Sequence, residues 1–359
     1  MTSFKSLFGP AGTFEFLFPY IIAEIGVNHE NSMEKAKKMI EEVADSGGHA
    51  AKFQTYKADK IASPEHAPSY WDRKAEPCAS QHLLFQKYDK FGINEYRELA
   101  AHCEKVGVDF LSTPFDIDAV GELAPFMKFF KVASADVTNV PLLRAIAKHG
   151  KPVLMSTGAA TLAEVETAIR ILKENGAPDV ALMHCILNYP TPKENAQMSL
   201  MRDLIRIFGE DCQIGYSDHV KPNDDGSMPS LEMATLHGAV VLEKHYTYDK
   251  TLPGNDHYHA MDKDDLAKFV DKLKDYKMLY GAGPRNMALE SQAIQNARRR
   301  ILVEVGVKKG EKLTEKNLIA LRSNKGIEIS RWDEVVGRVA SKDMDKGAPV
   351  CWGDFSEAV

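Results

Sequence analysis

The chain has no run of about 18 consecutive apolar residues, so nothing in it reads as a membrane-spanning helix. Its five cysteines, at 78, 103, 185, 212 and 351, are odd in number and include no CxxC pair. That argues against a disulfide framework and for a reduced, cytoplasmic protein. There is no basic block either. Lys and Arg total 45 against 51 Asp and Glu, a net charge of −6, which is a poor basis for nucleic-acid binding. No glycine-rich phosphate fingerprint follows the first apolar run, which counts against an open dinucleotide-binding sheet. The start also lacks a clean signal-peptide core. Phe4, Leu7, Phe8, Phe14, Phe16, Leu17 and Phe18 are interrupted by Gly9, Pro10, Gly12 and Glu15. Residues 1–19 therefore read as an N-terminal flap or short hairpin packed against the body.

What remains is ordinary for a globular protein: 359 residues, 44% hydrophobic and 27% charged. The length suits one large domain and one small one. Short apolar runs recur at 21–25, 50–54, 109–112, 129–132, 152–155, 180–183, 213–216 and 239–242. Such runs suit strands buried on both faces of a parallel sheet. Amphipathic stretches lie between them. Met33, Ala36, Met39, Ile40 and Val43 form one stripe, stopped by Gly47-Gly48. Thr161 and Glu164 read as a capping box ahead of another, and Leu266, Phe269, Val270, Leu273 and Tyr276 form the last. Eight alternations predict a (β/α)8 TIM barrel over 20–280. The segment 57–93 is too long for an ordinary βα loop and reads as a lid or wall over the barrel mouth. After a linker at 281–297, residues 298–359 become β-rich and repeat faintly: Val307, Gly310, Leu313 and Leu318 correspond to Met344, Gly347, Val350 and Phe355.

A barrel carries its site at the C-terminal strand ends. Polar residues cluster at those positions: Glu24, Lys52, Gln54, Thr113, Lys131, Ser134, Ser156, Asn188, Tyr189, Ser217, His219 and His245. Lys52 and Lys131 offer charge and the serines offer donors, a set suited to an anionic ligand. Ser156-Thr157-Gly158 ahead of a capped helix has two readings, a phosphate cradle or a plain βα turn. His219 and His245 could meet on one metal ion from adjacent strands, or be ordinary strand-end histidines. Asp218 could orient His219 or cap the next helix. His257 and His259 read as part of a solvated loop, His29 as structural or catalytic alike, and Cys185 as a buried inert thiol.

Together these motifs resemble the sialic acid synthases (N-acetylneuraminate synthases) and their relatives that make legionaminic and pseudaminic acids. The matching pieces are Ala23-Glu24-Ile25-Gly26-Val27-Asn28-His29, Lys52-Phe53-Gln54-Thr55, Ser112-Thr113-Pro114-Phe115 and Phe130-Lys131-Val132-Ala133-Ser134. They continue through Ser156-Thr157-Gly158, His184-Cys185 with Tyr189-Pro190-Thr191, Tyr216-Ser217-Asp218-His219, Glu243-Lys244-His245 and Pro253-Gly254-Asn255-Asp256-His257. The C-terminal module resembles the antifreeze-like (SAF) domain that this family fuses to its barrel. The chain departs from the family pattern on the sugar side, with Ile186-Leu187 after His-Cys, Asn188 one place late, Asn255 for a proline, His259-Ala260 for a small polar residue, and Arg322-Ser323-Asn324 for Arg-Pro-Gly.

The resemblance implies a metal-dependent condensation of phosphoenolpyruvate with the open-chain aldehyde of an N-acetylated hexosamine. The products are a nonulosonic acid and phosphate. It assigns Lys52, Thr113 and Lys131 to the phosphoenolpyruvate carboxylate, and Ser134, Ser156 and Ser217 to its phosphate, with Asn188 nearby. Glu24 handles a proton, and His219 and His245 hold Mn²⁺ or Mg²⁺. Gln54, Tyr189, Asp256 and Arg322 position the sugar, Arg322 from the partner subunit of a homodimer with swapped SAF domains. Three other readings are a Schiff-base aldolase using Lys131 or Lys52, a metal-dependent hydrolase, and a carbohydrate-binding protein with an inactive barrel.

Overall fold

The computed structural model describes residues 3–8, 16–71, 73–74, 76–254, 256–281 and 283–356. Phe14 and most of the interrupted stretch around it, Asn255 of the loop motif and Ala282 of the linker lie outside the described residues. The chain divides into two compact units, Met1–Ala282 and Gly283–Val359.

The first unit is built on eight parallel strands: β1 (Tyr20–Gly26), β2 (Ala50–Thr55), β3 (Asp109–Pro114), β4 (Phe130–Val132), β5 (Val153–Ser156), β6 (Val180–Cys185), β7 (Gln213–Asp218) and β8 (Val241–His245). Their order is β3-β2-β1-β8-β7-β6-β5-β4, and β3 lies beside β4, so the sheet curls into a nearly closed TIM-type barrel. A helix follows each strand: α1 (Met33–Asp45), α2 (Ile93–Val106), α3 (Ile117–Leu123), α4 (Val140–Ala147), α5 (Leu162–Glu174), α6 (Leu200–Phe208), α7 (Pro229–Leu236) and α8 (Lys263–Tyr280). The Thr161–Glu164 capping box opens α5, and Gly47, at φ +84°, follows α1.

Strand alternation sorts the side chains. Ile21, Ala23, Phe53, Phe110, Val132, Met155, Leu182 and Tyr216 point outward and join the helices in the main core. Ile22, Ala50, Leu111, Phe129, Leu154, Ala181, Met183 and Val241 form a second, inner cluster. The start of the chain completes that inner cluster. Phe4–Phe8 is a helix, where a flap or hairpin was expected. The Phe4 amide donates to the Asp179 carboxylate at 2.8 Å, and Phe4 and Phe8 pack on Phe129 and Tyr20. Gly215 on β7 is required by close packing: a Cβ there would stand 2.4 Å from Val241 Cγ1 and 2.5 Å from its carbonyl oxygen.

Six strands run past the end of their apolar pattern: β2, β3, β5, β6, β7 and β8 continue through polar residues to Thr55, Pro114, Ser156, Cys185, Asp218 and His245. Polar side chains stop the pattern in the sequence but not the ladder in the fold. Within 57–93, Ala58–Ile61 and Gln81–Tyr88 are helical, and Pro68 bridges to Ser80. Among the described residues, no helix is long and apolar enough to cross a membrane, and all five cysteines are free.

In the second unit β9 (Arg299–Val303) pairs antiparallel with β10 (Leu318–Arg322), and β11 (Val339–Ala340) with β12 (Phe355–Ser356). The sequence repeat is a structural one. The Gly310 amide donates to the Ala340 carbonyl, and the equivalent Gly347 amide to the equivalent Val303 carbonyl. Leu313 N–Arg338 O and Val350 N–Ile301 O form a second such pair, and Val307 and Met344 bond each other reciprocally at the pseudo-symmetry axis. Gly310 and Gly347 have φ of +90° and +84°, a turn both copies need. The segment expected as a linker carries two short helical pieces, Met287–Glu290 and Ser291–Ala297.

Candidate functional site

The C-terminal ends of the barrel strands surround a cavity of about 430 Å³. Register places its floor. Glu24 on β1 stands beside Lys52 on β2 and His245 on β8; Gln54 stands beside Thr113; Ser217 stands beside both Cys185 and Glu243. Glu24, Lys52, Thr113, Cys185 and Glu243 follow, two places on, from Ile22, Ala50, Leu111, Met183 and Val241 of the inner apolar layer, as Lys131 follows Phe129.

The floor holds four buried charges. Lys52 is ion-paired with Glu24 and lies 3.7 Å from Glu243, while Lys131 lies 3.5 Å from Glu243 on the other side. Lys52 also donates to Thr113 (3.1 Å) and Lys131 to Ser156 (2.8 Å). Ser217 donates to Glu243 at 3.1 Å, and Gln54 donates to Glu24 at 2.9 Å. Burial, reinforced by the Glu243 charge and opposed by Lys52, pushes the Glu24 carboxyl up to about 7. Burial acts on Glu243 in the same sense, but Lys131 and Lys52 outweigh it and hold that group below the usual carboxylate value. Burial lowers Lys131; for Lys52 it is outweighed by Glu24 and Glu243, and the group is raised. Two carboxylates in one site thus differ in role: Glu243 is a fixed counter-ion between two lysines, and Glu24 is a group that can exchange a proton near neutrality.

Hydroxyls stand around Lys131. Ser134 Oγ accepts the Gly158 amide at 3.0 Å, and a Cβ on Gly158 would come within 2.9 Å of that oxygen. The Ser134 and Ser156 hydroxyls each accept one bond, so each has a proton to donate, Ser134 to an oxyanion or to the neighbouring Cys185 sulfur.

A histidine cluster closes the other side. His219 donates from Nδ1 to the Ile186 carbonyl at 2.8 Å, since a carbonyl can only accept, which leaves Nε2 as its lone pair. The His219 and His245 rings are 5.4 Å apart, and Tyr189 lies 4.2 Å from His219. Donor atoms of His245, Asp256 and His259 all lie within 4.8 Å of one another. His245 Nδ1 and both ring nitrogens of His259 are buried with no hydrogen-bond partner. Such orphaned nitrogens beside a carboxylate fit a divalent cation. Burial also raises Asp256 to about 6 and, with the neighbouring imidazoles, keeps His245 neutral, the form that can ligate.

The cavity thus collects Glu24, Lys52, Gln54, Thr113, Lys131, Ser134, Ser156, Tyr189, Ser217, His219, His245 and Asp256. Asn188 is not brought in. Its amide donates to the Ile186 carbonyl in a tight turn that leaves it exposed, and Leu187 lines the cavity in its place. Arg322 is exposed at the end of β10 in the second unit. Asp218 does not orient His219: it ties β7 to β8 and α7, accepting from Tyr216, Lys244 and Ser230. His257 and His259 are buried, not solvated, and His257 is bonded to Thr247 at 2.7 Å. His29 stacks on Phe91 at 4.3 Å, away from the cavity lining, and burial lowers it to about 4. Cys185 does have a histidine in reach: its Sγ is 3.8 Å from His219 Nδ1. Burial opposes its thiolate, but His219, Ser134 and Lys131 outweigh that and lower the thiol.

The sequence alone assigns Glu243 no role and places His259 in a solvated loop. The period-two face shared by Val241, Glu243 and His245 was the available signal for Glu243. The 57–93 segment supplies one wall, with Tyr70, Trp71, Leu84, Phe85 and Tyr88.

Residues 39–285 match the NeuB family and residues 303–356 the SAF domain. The N,N'-diacetyllegionaminic acid synthase of Campylobacter jejuni is 35% identical over 327 residues, 90% of this chain and 96% of its own length. The N-acetylneuraminate-9-phosphate synthase of Drosophila melanogaster is 34% identical over 266 residues, 72% of this chain and 68% of its own. The crystal structure of the N-acetylneuraminic acid (sialic acid) synthetase from Leptospira borgpetersenii, a complex with citrate, superposes with a TM-score of 0.66 at 32% identity, over 77% of this chain and 90% of that one. The chain belongs to the NeuB family, and its C-terminal segment is a SAF domain.

Proposed function

We propose that the protein condenses phosphoenolpyruvate with the open-chain aldehyde of an N-acetylated hexosamine, giving a nonulosonic acid and phosphate. One observation carries the reading: two buried lysines and a set of hydroxyls meet on the floor of one cavity, beside a carboxyl held near neutrality. A ligand with two anionic ends answers that floor. Lys52, Thr113 and Lys131 bind the carboxylate, and Ser134, Ser156 and Ser217 the phosphate. The exposed Asn188 has no place in this assignment.

C3 of phosphoenolpyruvate forms the new bond to the aldehyde carbon, whose oxygen takes a proton. C2 becomes cationic and water adds to it, losing a proton. Cleavage of the C2–O bond to the phosphate then releases phosphate, which carries away the proton of the new hydroxyl, and leaves the ketone. Glu24 stabilises the cation and accepts the proton of that water. Glu243 keeps both ammonium groups aimed inward. A divalent ion, Mn²⁺ or Mg²⁺, on His219 and His245 would polarise the aldehyde as a Lewis acid.

Gln54 and Tyr189 position the sugar, and Asp256 does so from beside the ion. Its far side meets the aromatic wall of Tyr70, Trp71, Phe85 and Tyr88, and Lys52 and Lys131 are the only lysines or arginines among the described lining residues. That supports an unphosphorylated acceptor with apolar substituents, such as a 2,4-diacetamido-2,4,6-trideoxyhexose. Arg322 reaches the site from the partner subunit of a homodimer with swapped SAF domains.

The test is phosphate release from phosphoenolpyruvate with Mn²⁺, using N-acetylmannosamine, its 6-phosphate and 2,4-diacetamido-2,4,6-trideoxyhexoses. Sugar-dependent release is expected, fastest with a diacetamido sugar. Release with none of them, in folded, metal-loaded protein, would remove the reading. Borohydride trapping with pyruvate is expected to give no adduct, and an adduct on Lys131 or Lys52 would establish the Schiff-base alternative.

A further inference from the structure

We propose that His259 is a direct ligand of the divalent ion, so that the centre is built from three imidazoles and one carboxylate: His219, His245, His259 and Asp256. The role given to the ion rests on the condensation reading, but its binding rests on the donor geometry alone.

His259 is 0% exposed, and neither of its ring nitrogens has a hydrogen-bond partner. A buried imidazole normally satisfies at least one nitrogen, so two orphaned ones need an occupant. Its Nε2 stands 3.8 Å from Asp256 Oδ1, and His245 Nδ1 stands 3.3 Å from Asp256 Oδ2. Asp256 therefore lies between the two rings, with one oxygen toward each. The ring centroids of His245 and His259 are 5.0 Å apart, those of His219 and His245 5.4 Å, and those of His219 and His259 6.3 Å. With metal–nitrogen bonds of about 2.1 Å, a ring centroid stands about 3.2 Å from its ion, so two rings on one ion lie at most about 6.4 Å apart. All three pairs meet that bound. Packing alone does not explain the ring: its neighbours Tyr189 and Tyr258 cross it at 62° and 63°, with ring centroids 5.6 and 5.0 Å away, and its nitrogens accept and donate no hydrogen bond.

The consequence is selectivity. Imidazole ligands favour Fe²⁺, Co²⁺ and Zn²⁺, whereas Mg²⁺ takes oxygen ligands and water. A centre with a third nitrogen binds the former group more tightly and still leaves two octahedral positions for substrate oxygens.

The test uses the full chain stripped with chelator, titrated with Co²⁺ and with Mg²⁺ by calorimetry, without substrates. Wild type is expected to bind Co²⁺ at least about 100-fold more tightly than Mg²⁺. His259→Gln and His259→Ala should each lose about 10- to 100-fold in Co²⁺ affinity, with a changed Co²⁺ visible spectrum and far less effect on Mg²⁺. Wild-type Co²⁺ affinity and spectrum in both variants would overturn the assignment. Pulsed EPR of the Mn²⁺-loaded wild type serves as a check that needs no variant. Three coordinated imidazole nitrogens are expected, and two would overturn it. Because neither readout involves turnover, a failed condensation assay leaves this result standing, and the reverse holds too.

Discussion

The barrel interior has two layers drawn from the same strands, and they are opposites. The lower layer is apolar: Ile22, Leu111, Phe129, Leu154 and Val241, with Phe4 and Phe8 filling the end. Two residues further along each strand, the upper layer holds Glu24, Thr113, Lys131, Ser156 and Glu243. Both layers are fully buried. Only the lower one gains from burial, at about 25 cal/mol per Å² of apolar surface. The upper one is costly to bury and persists because Lys52, Lys131, Glu24 and Glu243 neutralise one another in a closed set. The lower layer holds the barrel together so that the upper layer can hold charges no ordinary core tolerates.

The sharpest way to separate the layers is Glu24→Gln. We expect turnover to fall by about 10²- to 10⁴-fold, the usual worth of a positioned proton-transfer group. The amide takes one carboxylate from Lys52 but leaves Glu243 as its counter-ion. Thermal unfolding should therefore shift to lower temperature while the protein stays folded. Near-normal turnover would remove the role assigned to Glu24.

Phe129→Ala is the converse. It empties the contact that Phe4 and Phe8 make with the lower layer, so we expect a loss of about 3–5 kcal/mol in stability, read by urea unfolding. The KM for phosphoenolpyruvate should stay within about twofold in protein that remains folded. A large change in KM with little loss of stability would break the division between layers.

How legible each layer was in the sequence follows from the same physics. The lower layer and the outward faces leave near-continuous apolar runs, so eight strands and a barrel could be read directly. The upper layer interrupts those runs, so strand ends were read short at Cys185, Asp218 and His245. Single polar residues at strand ends were still visible, and most of those named line the cavity. Glu243 was missed because a carboxylate between Leu242 and Lys244 looks like a solvated charge; only the ladder shows that it faces Lys52 and Lys131 while Lys244 turns outward to Asp218. Asn188 and His259 show the limit for loops, where composition is visible and direction is not. The pairing of the second unit's repeat was legible for the opposite reason: each copy keeps a glycine where its turn needs positive φ.

The pH dependence sharpens the comparison further. Catalysis by the Glu24 carboxylate requires its ionised form, so kcat/KM should fall about tenfold per unit as pH drops below about 7. Gln54 donates to Glu24 and favours that ionised form. Gln54→Leu should therefore move this acid limb to higher pH. An acid limb that stays in place would disconnect it from Glu24.

The smallest effect is expected where the layers' roles meet in one side chain. Ser134 lines the cavity while its oxygen accepts the Gly158 amide. Removing the hydroxyl by Ser134→Ala takes one donor from the phosphate. We expect the KM for phosphoenolpyruvate to rise about fivefold, the worth of one net hydrogen bond, with kcat little changed. The same change leaves a buried amide without its acceptor, so stability should also drop, by about 1–3 kcal/mol. Ser134→Thr keeps the oxygen and should restore the stability. If alanine lowers stability and leaves KM untouched, Ser134 belongs with the scaffold; if it raises KM alone, Gly158 has found another acceptor. Only the paired loss matches a group that supports the site and the fold through the two sides of one oxygen.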